Sequence, residues 1–247
     1  MTDALPISPE RARRAIPFHP HPGAIPAADG TPLLDYTLAH GNHEICAALV
    51  MPGLRDSLVD APDLLVRAIQ AEALPVVQVL LRSGAISLSG APFFDPSPLH
   101  LAVQTGNPEL VHLLLIENHP PSIADKHGNT PIHLAAEMGR AEVALALIRM
   151  YADVRAANKR GQQPLHLAAR SGNTELVNSL LGAGATLDAL GESGMTALHL
   201  AAEEGHAELI DMLLKAGAAK DLVDHFGRTA RQIAQQGGDK AIAKRLK

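Results

Sequence analysis

From about residue 95 onward, polar and apolar positions alternate between two short helical patterns, each opened and closed by the same punctuation. Ser97-Pro98 and Thr130-Pro131 mark helix starts, because the hydroxyl caps free N–H groups and Pro suits the first helical turn. A first helix of about nine residues is predicted to run from each start to the next Gly. A second helix begins near a Glu, whose charge favours a helix N-terminus. Its apolar positions, such as Leu176, Val177, Leu180 and Leu181, recur at 3–4 spacing and predict a buried stripe. Gly184, Gly217 and Asn118 stand where that helix must end on a left-handed residue. Tyr151 holds the same place and fits it poorly, so an irregular helix end is predicted there. Asp125-Lys126-His127-Gly128 and Asp224-His225-Phe226-Gly227 read as turns that project between helix pairs.

The punctuation is periodic. His100, His133, His166 and His199 recur at one constant interval, in the phrases Ser97-Pro98-Leu99-His100-Leu101-Ala102, Thr130-Pro131-Ile132-His133-Leu134-Ala135, Gln163-Pro164-Leu165-His166-Leu167-Ala168 and Thr196-Ala197-Leu198-His199-Leu200-Ala201. Six residues beyond each His stands Gly106, Gly139, Gly172 or Gly205, and nine beyond stands Glu109, Glu142, Glu175 or Glu208. Towards the C-terminus the frame continues at Gln232 and Gly238. Towards the N-terminus it decays. Leu65-Val66-Arg67-Ala68 followed by Pro75 to Leu81 is a copy one residue longer, without the His or the Gly. Leu33-Leu34-Asp35-Tyr36 with Gly41 and Glu44 is another, with Asp35 at the His position. Worn outer copies are expected where a terminal unit faces water on one side.

These phrases resemble the ankyrin repeat, whose consensus reads Asp-x-x-Gly-x-Thr-Pro-Leu-His-x-Ala-x-x-x-Gly-x-x-Glu-Val. The resemblance is strong over about residues 95–236, weaker over 30–94, and does not extend to 1–28. It implies an all-α solenoid of helix-turn-helix units with short β-hairpin-like turns. The expected organisation is a Pro-rich, poorly structured extension at 1–28, two degenerate repeats at 29–96, four well-formed repeats at 97–228 and a capping repeat at 229–247. It also implies that each repeat histidine hydrogen-bonds turn backbone and ties neighbouring turns together.

Composition agrees with thin, closely approaching layers. Hydrophobic residues make up 47% of the 247, yet aromatics make up only 2%, so the core is to be built of Ala and Leu. The formal net charge of −5 supplies no overall basic field for nucleic acid. The single Cys46 rules out a disulfide framework within one chain and suits a reducing compartment. No stretch approaches the roughly 20 apolar residues of a membrane span. Arg11, Arg13 and Arg14 are followed by Pro and His rather than the apolar run of a signal peptide. A soluble, cytoplasmic protein is expected, in its own cell or in a host cell that receives it.

The histidine series invites a metal reading that spacing rejects. Neighbouring helices pack roughly 8–10 Å apart, whereas zinc needs bonds of about 2.0–2.1 Å. His19 and His21 lie in a Pro-rich tract that reads as extended chain. Gly182-Ala183-Gly184-Ala185 falls at a helix end, not at a helix start where phosphate binds. No nucleophile elbow, phosphate loop or zinc-protease motif is present. Neither catalytic, cofactor nor metal residues are predicted, and the chain is read as a non-enzyme.

Through the resemblance, the variable positions of turn and first helix line a concave surface that grips another protein. Carried over by register, the candidate partner-binding residues are Phe93, Phe94, Lys126, His127, Met138, Lys159, Arg160, Arg170, Glu192, Met195, Glu203, Glu204, Phe226 and Arg228. Phe93, Phe94 and Phe226 fall at turn tips, where an exposed aromatic suggests an interface anchor; the alternative is that Phe93 and Phe94 fold back over the one-residue insertion. The surface is zoned, basic around Lys126, Lys159, Arg160 and Arg170, then acidic around Glu192, Glu203 and Glu204. Such zones would orient a partner, or be only a solvated surface. The expected protein is a monomeric adaptor or regulator that binds a protein rather than nucleic acid or membrane. The alternative is a bacterial effector exported into a host cell, with residues 1–28 as its tail.

Overall fold

The computed structural model describes residues 37–41, 43–44, 46–47, 61–82 and 95–247. Residues 1–28, Phe93 and Phe94 lie outside them, as do the expectations placed on those positions. The described residues divide into two units, one drawn from positions up to 94 together with His112–His119, the other from Asp95–Val111 and Pro120–Lys247.

In the first unit, α1 (Ala61–Gln70) and α2 (Leu74–Arg82) pack as a pair. Leu65, Ile69, Val76, Val77 and Leu80 are fully buried between them. The link keeps the repeat's geometry without its glycine: Glu72 takes φ 53°, and the Ala73 N–H bonds the Ala68 carbonyl at 2.8 Å.

The second unit carries α3 (Pro98–Thr105), the start of α4 (Pro108–Ile116), then the pairs α5 (Pro131–Glu137) and α6 (Ala141–Arg149), α7 (Pro164–Arg170) and α8 (Thr174–Gly182), α9 (Ala197–Glu203) and α10 (Ala207–Lys215), and α11 (Ala230–Gln236) and α12 (Lys240–Arg245). Two layers result. The first helices α3, α5, α7, α9 and α11 pack in succession, and α6, α8, α10 and α12 pack in succession behind them. Small residues permit the close approach: Ala135, Ala136, Ala168, Ala169, Ala201 and Ala202 are all buried in the first layer. Leu165, Leu176, Leu180 and Leu198 fill the space between layers. Truncating one such leucine to alanine costs about 2–5 kcal/mol.

The second helices α4, α6, α8 and α10 end in the same way, on a left-handed residue, with one correction to expectation. After α8 and α10, Gly184 and Gly217 adopt φ 94° and 93°, and the next N–H reaches back to the carbonyls of Leu180 and Leu213. Tyr151 makes the same left-handed turn at φ 61°, and the Ala152 N–H bonds the Leu147 carbonyl at 3.0 Å. The predicted irregular end is therefore absent. The pair of backbone bonds and the burial of Ala152 hold the turn, and the tyrosine carries the strain.

The turns contain no strand among the described residues, yet they are closed and linked by backbone bonds. Asp125, Asn158 and Asp224 each donate their N–H to the carbonyl four residues on, at 2.8–3.0 Å. The Lys159 N–H bonds the His127 carbonyl at 3.0 Å, and the His225 N–H bonds the Ser193 carbonyl at 2.8 Å, joining successive turns.

Candidate functional site

The repeat histidines are framework. His100, His133, His166 and His199 are at most 1% exposed. Nε2 faces the carbonyl of Asn129, Gln162, Ala189 and Arg228 respectively, at 2.9, 3.0, 2.9 and 3.1 Å. A carbonyl only accepts, so Nε2 carries the proton and donates. Nδ1 is then a bare acceptor, and the Thr130, Gln163 and Thr196 N–H groups donate to it at 3.1, 3.0 and 3.2 Å. The hydroxyls of Ser97, Thr130 and Thr196 lie 2.8 Å from the same atom. Each imidazole thus clamps its own helix start to the following turn. Burial is the main cause that lowers all four pKa values below 6.5, and it outweighs the carbonyl bonds that favour the charged ring. Among the described residues, no group of three or more His, Cys, Asp or Glu is placed to hold an ion.

Gln232 shows why the last copy dispenses with histidine. Its Oε1 accepts the Thr229 N–H at 2.8 Å, as Nδ1 does elsewhere, while its side chain stays exposed. The third turn departs from the rest because Gly191 replaces the Asp or Asn that opens the others. Asp125, Asn158 and Asp224 each accept two turn N–H groups on Oδ1. Gly191 has no such oxygen, and a Cβ there would stand 2.8 Å from the His166 ring. The chain instead forms a short 3-10 turn at Glu192–Gly194, with Ser193 at φ 57°.

The variable positions lie elsewhere. Lys126, His127, Met138, Lys159, Arg160, Glu203, Glu204 and Phe226 are exposed, while Arg170, Glu192 and Arg228 are half-buried. Met195 is a correction: it is only 7% exposed and offers a partner little surface. Gln162, the matching residue one repeat earlier, is 2% exposed, so the residue that closes the turn is buried in both. Sequence register cannot reveal this, because burial is set by the neighbouring repeat.

Four of the predicted residues converge. His127, Lys159, Arg160 and Arg170 line one notch of about 380 Å³, together with Glu137, the buried Asn158 and Gln162, and Leu167. Two consecutive turns form one wall, and α5 and α7 form the other. The predicted basic and acidic zones meet at its rim, where Arg160 Nε lies 3.4 Å from Glu192 Oε1. With both side chains substantially exposed, that pair is worth about 0–1 kcal/mol.

Phe226 and Arg228 form a second patch, with Gln232, Gln235 and Gln236 around a recess of about 430 Å³. Phe226 is 72% exposed, with the Arg228 guanidinium 5.1 Å from its ring centroid. Arg228 is largely committed within the chain: it bonds Asp224 Oδ2 through Nε at 2.8 Å and Gln236 Oε1 at 3.3 Å. Although burial opposes it, that guanidinium and the N–H groups of Arg228 and Phe226 hold the Asp224 carboxyl below its usual range.

Helix pairs repeated at one constant interval, with a histidine clamp from each helix start to the next turn, define a repeat scaffold. Residues 65–158, 99–190 and 152–224 match the family described as ankyrin repeats in three copies. The chain belongs to the ankyrin-repeat family. Ankyrin repeats generally mediate protein–protein interaction. No curated protein matches the chain closely. No helix among the described residues is long and apolar enough to cross a membrane.

Proposed function

We propose that this chain is a non-enzymatic adaptor or regulator, a monomer that holds one partner protein on the face made by its turns and first helices. The carrying observation is the convergence of His127, Lys159, Arg160 and Arg170 on one notch while the repeated histidines are buried in the framework. Most of the variable positions singled out by register lie at the surface, whereas the recurring histidines are buried in the framework. A preformed face loses little entropy on binding, which suits recognition of an extended surface. A reducing cytoplasm is the compartment proposed, and the single buried thiol of Cys46 fits it.

The test compares the chain with a variant carrying Met138→Ala, Lys159→Ala, Arg160→Ala and Phe226→Ala, all at exposed positions. Affinity capture from the native cell, read by mass spectrometry, is expected to retain a protein in near-equimolar amount on the parent and not on the variant, at unchanged melting temperature. Identical retention by both would sink the reading.

A further inference from the structure

We infer that the notch at α5 and α7 receives an acidic side chain of an extended partner segment, and that the same segment carries a basic residue about three positions away. This rests on the proposed role of the face in protein binding and names the chemistry that the face selects.

The notch brings the cations Lys159, Arg160 and Arg170 around one opening, with Glu137 as the carboxylate on its wall. Among the described residues, the ion pair made by these three cations is that of Arg160 with Glu192, and the exposed contact exchanges readily. Lys159 is exposed at a turn tip, and Arg170 is half-buried at the end of α7. Partial burial matters here: a charge flanked by protein is screened less than one in open water, so an incoming carboxylate gains more from Arg170 than from a surface lysine. The fork of an arginine also suits a carboxylate in a two-bond arrangement. Asn158 and Gln162, both buried, make the floor polar rather than greasy. An apolar anchor is therefore a poor occupant, and a carboxylate a good one.

One repeat further on, the sign reverses. Glu203 stands at the register position that Arg170 holds in the preceding repeat, with Glu204 beside it, both exposed. Stacked helices lie roughly 8–10 Å apart, and an extended chain advances about 3.3 Å per residue. A segment that seats Asp or Glu in the notch therefore places its third residue onward over Glu203 and Glu204. Lys or Arg at that spacing completes the match, while a like charge there is repelled.

The experiment uses the full chain and fluorescein-labelled 12-residue peptides, uncharged except for their test residues. One carries Glu-Glu and Lys-Lys separated by two residues, one Glu-Glu alone, one Lys-Lys alone, and one phosphoserine in place of Glu-Glu. Anisotropy at low salt is expected to rank the mixed peptide first, at least tenfold tighter than the Lys-Lys peptide, with the Glu-Glu peptide between them. Lys159→Glu with Arg170→Glu is expected to weaken the mixed peptide at least tenfold. If that variant does not fold, Lys159→Ala alone, at an exposed turn tip, is expected to weaken it about threefold. Equal binding of all peptides, preference for the phosphopeptide, or indifference to Lys159→Ala overturns the inference. Should the peptides fail while the four-alanine variant still loses its captured partner, this inference falls and the proposed function stands.

Discussion

Replacing His133 by glutamine isolates what the histidine clamp contributes, because the chain already contains the control. At Thr229 a glutamine oxygen takes the cap N–H at 2.8 Å, so His133→Gln is expected to keep the bond to Thr130 N–H while losing the Nε2 bond to the Gln162 carbonyl. Loss of that bond and of fully buried ring contacts is expected to cost about 1–3 kcal/mol at pH 7.5. The pH dependence is more telling. Burial disfavours the charged ring and holds the folded pKa below 6.5, and a second proton would sit on Nδ1, facing the Thr130 N–H. The unfolded chain then binds more protons than the folded one below that pH. The stability this represents is fully present above about pH 6.5 and is lost as pH falls towards the folded pKa. Between its folded and unfolded pKa each clamp contributes a slope of up to about 1.4 kcal/mol per pH unit, so the four together contribute up to about 5.5. Asp125 and Asp224 do not confuse the window. Their folded pKa values lie below 3.8, so their stabilisation is present above about pH 4 and is lost only as pH falls further. Urea melts followed by circular dichroism at pH 7.5, 6.0 and 5.0 give the slope. The parent should lose stability steeply on acidification, and His133→Gln should lose it less steeply by about a quarter. A flat parent profile, or a variant with the parent's slope, refutes the clamp's tautomer and its energetics together.

Tyr151→Gly is expected to raise stability by about 0.5–1 kcal/mol, because the residue is 92% exposed and its left-handed φ of 61° suits glycine; a lowered urea midpoint would contradict this. Gly191→Ala is expected to lower stability by about 1–3 kcal/mol, since the new Cβ would stand 2.8 Å from the buried His166 ring. An unchanged midpoint there would show that the ring has room to shift. Hydrogen exchange should be slowest within residues 131–228, where each helix pair is packed between two others, and faster in 61–82. Fastest exchange at 130–200 would overturn that order.

Much was legible along the chain because the interactions that build one repeat are short in sequence. A cap and its histidine are three residues apart, a turn closes over four, and a helix end needs one left-handed residue. Those spacings predicted the helix starts and the turns. They could not predict Met195, because its burial depends on neighbouring repeats rather than on its own turn. They misjudged Tyr151 for the opposite reason: local preference disfavours it, and two backbone bonds with a buried Ala152 overrule that preference. The notch is likewise tertiary. Lys159 and Arg160 are adjacent in sequence, but His127 and Arg170 join them only because successive turns are linked and α5 packs on α7. The repeat and its framework follow from the chain alone, since local chemistry that recurs at a constant interval reaches the same local solution each time. Which variable side chains share one opening, and which are withdrawn from water, was settled by the stacking of one repeat on the next.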